Sequence, residues 1–562
     1  MSPVSKSVVA FGFRPDSHST KVLEDIFRQN RKINFLDDKV NGSDLENSDA
    51  AILGKDFNYQ DQQSFSYLRK AVLEGLNLLI IGFATRQLPG PWSELVGVVP
   101  AETKNVGEWY FKSQSGSSLA TERIDQEFAA VGNLTLLETI DANPVLITSI
   151  GFKDFVSAAQ KNYLSSQVFT LGLEPAMSPI SKDIAAIIRR AVNHPLEHTS
   201  GSSQTLGVGI VGYGSYGGMG HYHGRAATLV EGLDLIAVVD RDPERRKAAE
   251  QEFPNVRTYK TTEELANDPE VDICIVATPP VSHAELSMTL LQANKHVICE
   301  KPMCLTYNEA KMLINKATEM SKMLTVNQNR RWDRDFMAIS RAIKSGKIGN
   351  VFNLETFVGG FEHPCRAWHS EVSISGGAIY DWGSHHIDQI IQIYGSRPVK
   401  VSATSHKRVW HDITNDDQIR VHMLWEDGRE AEFFQSDIAA HRKPKYFIQG
   451  TSGTIIGNYR PIIDESVSFP FGYQEHEYHH AEAPADLKLS RYESEYGLIE
   501  EVLPPARAQQ FPFHKNVADH LLMGEQLSVT PQSVAGVVAV LEAAHTSASN
   551  GSDYISLPQD QL

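Results

Sequence analysis

Cysteine is scarce: Cys274, Cys299, Cys304 and Cys365 are the 4 in a chain of 562 residues. Everything before Cys274 therefore lacks both a disulfide framework and a thiol nucleophile. None of the four has C-x-x-C spacing, which removes the common zinc and redox motifs, and Cys274 and Cys299 lie in apolar runs where a thiol packs as a small hydrophobe. No apolar run is long enough to cross a bilayer, and the opening MSPVSKSVVAFGF lacks the apolar core of a secretory leader. Positive charge is also short, with Lys+Arg 52 against Asp+Glu 69 and a formal net charge of -17. That balance disfavours nucleic acid or an acidic membrane as partner. A cytoplasmic location and a small-molecule substrate are the expectation, with no repeat or low-complexity tract to suggest otherwise.

What is present is ordinary globular sequence, 41% hydrophobic and 22% charged, long enough for two or three domains. Residues 1–195 read as alternating strands and helices, an α/β domain. Ser7–Phe13 and Asp49–Leu53 have strand character and Gln62–Glu74 helical character. The apolar stretch Asn77–Gly82 suits a strand covered on both faces, and Lys182–Val192 carries Ile184, Ile187, Ile188 and Val192 at helical spacing. A linker rich in Ser and Gly spans 196–205. In 206–329 the runs LGVGIVG, LDLIAVVD, VDICIVA and KHVICE alternate with helical segments, which predicts a doubly wound parallel sheet of Rossmann type. Thr261 and Glu264 have the spacing of a capping box. Residues 330–562 shift to β-rich runs, Val351–Val358, Val399–Val409, Gln418–Trp425, Glu430–Gln435 and Tyr446–Gly450, before a final helix from Ser533. This predicts an α+β domain with a large, mainly antiparallel sheet.

The segment GIVGYGSYGGMG sets Gly212, Gly214 and Gly217 as G-x-G-x-x-G directly after an apolar strand, with Tyr213, Ser215 and Tyr216 between them. Such a turn brings backbone close to a pyrophosphate at a helix N-terminus. Asp240 ends the next apolar strand, where a carboxylate receives the ribose hydroxyls. Its charge opposes a 2′-phosphate and favours NAD, while the adjacent Arg241 keeps NADP as the alternative.

With ATPPVSHAEL, CEKPMCLT and GGAIYDWGSHHID added, the chain from Leu206 onward resembles the glucose-fructose oxidoreductase, inositol dehydrogenase and rhizopine-catabolism (Gfo/Idh/MocA) family. The resemblance implies that Thr278, Pro279, His283, Glu300 and Asn329 join the glycine turn, Asp240 and Arg241 around the cofactor. It also implies that Lys301 reaches both nicotinamide and substrate, with Asp381 and His385 in the catalytic group. By spacing alone, Asp381 and His385 are four residues apart and share one face of a helix, so the carboxylate is expected to fix the imidazole tautomer and raise its basicity. Arg330, Trp368, His363 and His369 fall where the family draws substrate contacts, and an indole with polar donors suits a sugar-like ring. His476, His479 and His480 form HEYHH without a spaced fourth ligand, so no metal is expected.

Residues 1–195 resemble, on LRKAVLEGLNLLIIGFATRQLPGPWSELVGVVP, the ThuA-like branch of the class I glutamine amidotransferase-like fold, here with Ile81-Gly82-Phe83 where amidotransferases carry a cysteine. The functional expectation is an NAD-dependent dehydrogenase acting on a CH–OH of a sugar, glycoside or polyol. The alternatives are a hydrolase or lyase that cycles bound NAD through transient oxidation, and a non-catalytic sugar sensor. A homo-oligomer, dimer or tetramer, built through the C-terminal sheet is expected as well.

Overall fold

The structure is a computed structural model that describes residues 7–14, 17–27, 33–36, 39–46, 48–83, 88–114, 124, 127–151, 153–163, 166–175, 181–193, 205–214, 218–364, 367–460, 466–468, 474–476, 484–506 and 509–558. The chain divides into two compact units, Met1–Ser202 and Ser203–Leu562.

The first unit holds a 10-stranded sheet in the order β10-β6-β5-β7-β8-β9-β4-β3-β1-β2. Its strands are β1 (Ser7–Phe11), β2 (Ile33–Phe35), β3 (Ser48–Leu53), β4 (Asn77–Ile81), β5 (Val98–Ser113), β6 (Glu127–Thr139), β7 (Asn143–Ile150), β8 (Lys153–Asn162), β9 (Gln167–Leu171) and β10 (Leu173–Pro175). Strands β2, β1, β3, β4 and β9 are parallel, and β4 is buried along its whole length. Helices cover both faces. Val22, Leu23 and Ile26 of helix His18–Phe27 pack with Ile184, Ile187 and Ile188 of Lys182–Asn193 on one side, while Leu68 and Val72 of Gln62–Leu73 pack with Trp92 on the other. Each such buried aliphatic chain contributes about 1.5–3 kcal/mol against exposure. Asp61 starts the helix Gln62–Leu73 by accepting the Ser64 amide.

The strand and helix alternation expected over 1–195 holds only for this parallel half. Between β4 and β9 the chain instead runs through β5 to β8, which pair antiparallel. Along β6 buried residues alternate with more exposed ones, the period-2 pattern of a half-buried strand, although Gly, Asn and Glu stand among its residues.

The second unit opens with a parallel sheet ordered β13-β12-β11-β14-β15-β16. Its strands are β11 (Leu206–Val211), β12 (Leu233–Val239), β13 (Arg257–Tyr259), β14 (Ile273–Val276), β15 (His296–Cys299) and β16 (Leu324–Val326). This is the Rossmann order, whose crevice opens between the first and fourth strands. The Thr261–Glu264 capping box forms as the spacing predicts, and Thr306 with Glu309 makes a second.

A nine-stranded sheet follows, ordered β26-β25-β22-β21-β17-β20-β19-β18-β27. It comprises β17 (Val351–Gly359), β18 (Lys400–His406), β19 (Gln418–Leu424), β20 (Glu430–Ser436), β21 (Tyr446–Gly450), β22 (Gly453–Asn458), β25 (Asp486–Glu493), β26 (Gly497–Leu503) and β27 (Ile555–Ser556), with β23 (Ser466–Ser468) and β24 (Gln474–His476) in a separate ribbon. Apart from the parallel pair β17 and β20, its pairings are antiparallel. The helix Pro531–Ser549 lies against β18, where Ser547 Oγ accepts the Ala403 amide at 2.9 Å. Under the sheet, Lys445 and Asp335 form an ion pair at 2.8 Å with both side chains 1% exposed.

Candidate functional site

A cleft of about 970 Å³ opens at the carboxyl ends of β11, β12, β14 and β15. Gly212 follows β11 at φ 101°, and a Cβ there would lie 2.6 Å from the Ala277 carbonyl oxygen. A Cβ on Gly220, in the first turn of helix Met219–Leu229, would lie 2.6 Å from the Gly212 carbonyl oxygen, so the helix approaches the turn this closely only with glycine. At Gly214 a Cβ would meet nothing within 4 Å, and this residue lines the cleft. Ser215, Tyr216 and Gly217 lie outside the described residues. Gly220, a glycine visible in GGMG but not singled out by the motif, makes this close helix packing.

Tyr213 contributes its backbone. Its amide donates to Asp240 Oδ2 at 2.8 Å, while its ring packs on Phe253 and its hydroxyl bonds Glu252. Asp240 Oδ1 accepts the Asp242 amide at 2.9 Å, which orients the carboxylate at the cleft wall. Arg241 lines the cleft there, joined by Arg245 and Lys260, two cations the motif did not point to.

Thr278 and Pro279 line the cleft after β14, with Thr278 Oγ1 2.7 Å from Ser282 Oγ. His283, expected beside the cofactor, is 1% exposed and stands behind this wall. Its Nε2 is 2.6 Å from the Thr278 carbonyl and its Nδ1 2.7 Å from the Pro302 carbonyl, so it fastens two cleft-forming turns together. Glu300 reaches the cleft yet is held from within: Oε1 meets His223 Nε2 at 2.9 Å and accepts Asn327 Nδ2 at 2.7 Å, and Oε2 accepts the Lys301 amide at 3.0 Å. Burial alone would raise the Glu300 pKa, but the hydrogen bond and charge of His223, with Asn327 and Lys301, hold it below the usual carboxylate range. His223 Nδ1 is in turn 2.8 Å from Nε2 of the buried His514. His223, Asn327 and His514 are far apart in sequence and form no local motif, so only folding reveals the network.

Lys301 Nζ lies 2.6 Å from Asp381 Oδ1, and both residues line the cleft. Asp381 belongs to a π-helical turn, Ile379–Gly383, that precedes helix Ser384–Tyr394. Asp381 meets Lys301, and His385, in the helix that follows, is 6% exposed with Nδ1 lacking a hydrogen-bond partner. The expected rise in imidazole basicity is reversed. Burial, then the Lys301 and Arg330 charges, hold the His385 pKa well below the ordinary histidine value. The Asp381 charge also acts on His369, which lines the cleft stacked on Trp368 at 3.5 Å between ring centroids. Burial brings the His369 pKa down to about 4, partly offset by Asp381.

Asn329 and Arg330 are half-buried in the 3-10 turn Asn329–Trp332, with the Arg330 guanidinium 5.4 Å from the Trp382 ring centroid. His363 is held by Asp412 at 3.0 Å. His479 and His480 lie outside the described residues, and among the described residues no group of three or more His, Cys, Asp or Glu is placed to hold a metal. Cys274, Cys299 and Cys304 are buried, and burial pushes the Cys274 thiol up to about 12.

The open backbone at Gly214, the oriented Asp240 carboxylate and the cleft volume together fit a nicotinamide dinucleotide laid from Asp240 towards Lys301. Comparison with known proteins gives the same picture. Residues 206–328 match the oxidoreductase family with NAD-binding Rossmann fold, and 336–456 match the GFO/IDH/MocA C-terminal domain. Scyllo-inositol 2-dehydrogenase (NADP(+)) of Bacillus subtilis is 28% identical over 352 residues, 60% of this chain and 93% of that protein. Myo-inositol 2-dehydrogenase of Thermotoga maritima is 28% identical over 196 residues, 35% of this chain and 57% of that protein. An NAD-binding protein from Listeria innocua superposes with TM-score 0.53 at 27% identity, over 63% of this chain and 97% of that one.

Proposed function

We propose, from the match of residues 206–328 and 336–456 to the Gfo/Idh/MocA oxidoreductases, that this chain is a dehydrogenase acting on a carbinol of a sugar, glycoside or cyclic polyol. The observation that carries it is the Lys301–Asp381 ion pair in the same cleft as Asp240. The nicotinamide nucleotide supplies the hydride acceptor. Lys301 holds the substrate oxygen and stabilises the charge that grows on it as the carbinol C–H bond breaks. Asp381 keeps the Lys301 ammonium aimed at that oxygen. His385 is kept neutral, the state that accepts a proton, and is near enough to Lys301 for that cation to lower its pKa. Trp368 and His369 offer a stacked aromatic surface to the C–H face of a ring.

For the cofactor, Asp240 supports NAD, because a carboxylate pairs with ribose hydroxyls and repels a 2′-phosphate. NADP is a second reading, supported by Arg241, Arg245 and Lys260 on the same wall and by the NADP named for the Bacillus relative. Self-association through the large sheet belongs to the same proposal, since β26 leaves Leu498 80% and Val502 73% exposed. The ThuA-like character of residues 1–195 stays a proposal beside it, supported by the parallel half-sheet.

The test is reduction of NAD and NADP over a panel of inositols, aldoses and glycosides with product mass followed. Stoichiometric NADH or NADPH supports a dehydrogenase. Turnover of a glycoside without added nucleotide identifies the cycling hydrolase or lyase, and binding without turnover identifies a sensor.

A further inference from the structure

We propose a second ligand site, in the first unit, that takes a neutral polyhydroxylated molecule of about monosaccharide size. A cavity of about 460 Å³ lies where the loops after β1 and β3 diverge, lined by Arg14, Ser19, Lys55, Asp56, Asn133 and Glu174. The parallel strands run in the order β2-β1-β3-β4-β9, so the chain leaves β1 towards one edge of the sheet and leaves β3 towards the other. That reversal is the switch point at which open parallel sheets bind ligands, outside the carboxyl ends of the strands. The loops after the two strands pack closely on one another through glycine: a Cβ on Gly12 would lie 2.5 Å from the Phe57 nitrogen, and one on Gly54 would lie 2.5 Å from the Gly12 carbonyl oxygen.

The lining selects the ligand class. Glu174 is 9% exposed and accepts Ser19 Oγ at 3.0 Å, Lys55 Nζ at 2.9 Å and Asn133 Nδ2 at 3.1 Å. Arg14 faces Asp56 at 3.2 Å. Among the described residues, Arg14 and Lys55 each already stand against a carboxylate, and Arg14, Lys55, Asp56 and Glu174 sum to zero charge, with His18 the further titratable lining residue. A phosphate or carboxylate ligand would have to displace an acidic side chain. A hydroxyl donates and accepts at once, so it can join these pairs without breaking them. Phe13 and Ile81 add an apolar surface for C–H groups. The inference is independent of the chemistry proposed for the second unit.

The test is hydrogen–deuterium exchange by mass spectrometry on the full chain, with D-glucose, myo-inositol or inorganic phosphate at tens of millimolar. With D-glucose or myo-inositol, exchange should slow at least about twofold in peptides covering residues 12–14, 17–19 and 53–56. This slowing should persist in Lys301→Met and vanish in Glu174→Gln. Should Glu174→Gln fail to fold, Ser19→Ala, which removes one hydroxyl, should weaken the same protection. No slowing with either polyol, slowing with phosphate alone, or slowing unchanged in a folded variant would overturn the proposal.

Discussion

Lys301 Nζ and Asp381 Oδ1 stand 2.6 Å apart although one follows the parallel strand β15 and the other sits in the π turn ahead of helix Ser384–Tyr394. The pair joins the nucleotide-binding sheet to the β-rich half of the second unit at the mouth of the cleft. Replacing Lys301 with Met should lower turnover on the best substrate at least about a hundredfold, the usual worth of such a group, and leave cofactor affinity near the parent's. Steady-state kinetics with a fluorescence titration of NADH separates the two. Turnover within a few-fold of the parent would remove Lys301 from the chemistry.

Asp240→Ala removes a carboxylate that also accepts the Tyr213 amide, so it should weaken NAD at least about tenfold and narrow the gap between NAD and NADP. Titration with both nucleotides checks this. Unchanged affinities would place the ribose elsewhere.

Several buried imidazoles are kept neutral. Burial lowers the pKa of His385 well below the ordinary value, that of His369 to about 4 and that of His386 to about 3. Groups depressed on folding contribute stability present above their unfolded pKa, about 6.5, and lost as pH falls through the folded values. Urea denaturation should therefore show stability declining steadily from pH 6.5 to pH 4. A flat profile over that range would contradict the assignment.

Asp437 behaves oppositely, its pKa raised to about 7 by burial and then by the charges of Asp381, Asp417 and Glu362. A carboxyl raised on folding contributes stability that is full below its unfolded pKa and lost as pH rises through the folded one. Asp437→Asn should match the parent near pH 3 and gain on it as pH rises from about 4 to 7, levelling above. A shift of this size is worth at most about 4 kcal/mol. Parallel stability curves for the two proteins would refute it.

Lys445→Met strands the Asp335 carboxylate, which is 1% exposed and also accepts the Ala485 amide at 2.9 Å. Breaking one side of a buried pair costs about 3–5 kcal/mol. The double variant Lys445→Met with Asp335→Leu should recover part of that loss in thermal unfolding. No recovery would show that the Ala485 contact, and not the unpaired charge, sets the cost.

Local pattern was sufficient for much of this protein. Apolar runs ending in glycine or aspartate fixed β11, β12 and the turn between them, Thr261 and Glu264 announced their capping box, and the β-rich runs after residue 350 announced the large sheet. These features depend on neighbours in sequence, which is why a sequence displays them. The ordered motifs around Gly212, Glu300 and Asp381 likewise pointed to a nucleotide cleft. Tertiary structure alone decided the rest. The antiparallel β5 to β8 insertion depends on pairing between distant segments, which the alternation along each strand does not specify. The Lys301–Asp381 ion pair joins residues 80 positions apart, a meeting that spacing in sequence cannot announce. Burial inverted the expected effect on the His385 proton, and His223, Asn327 and His514 came to Glu300 from elements whose spacing in sequence carries no chemical signal.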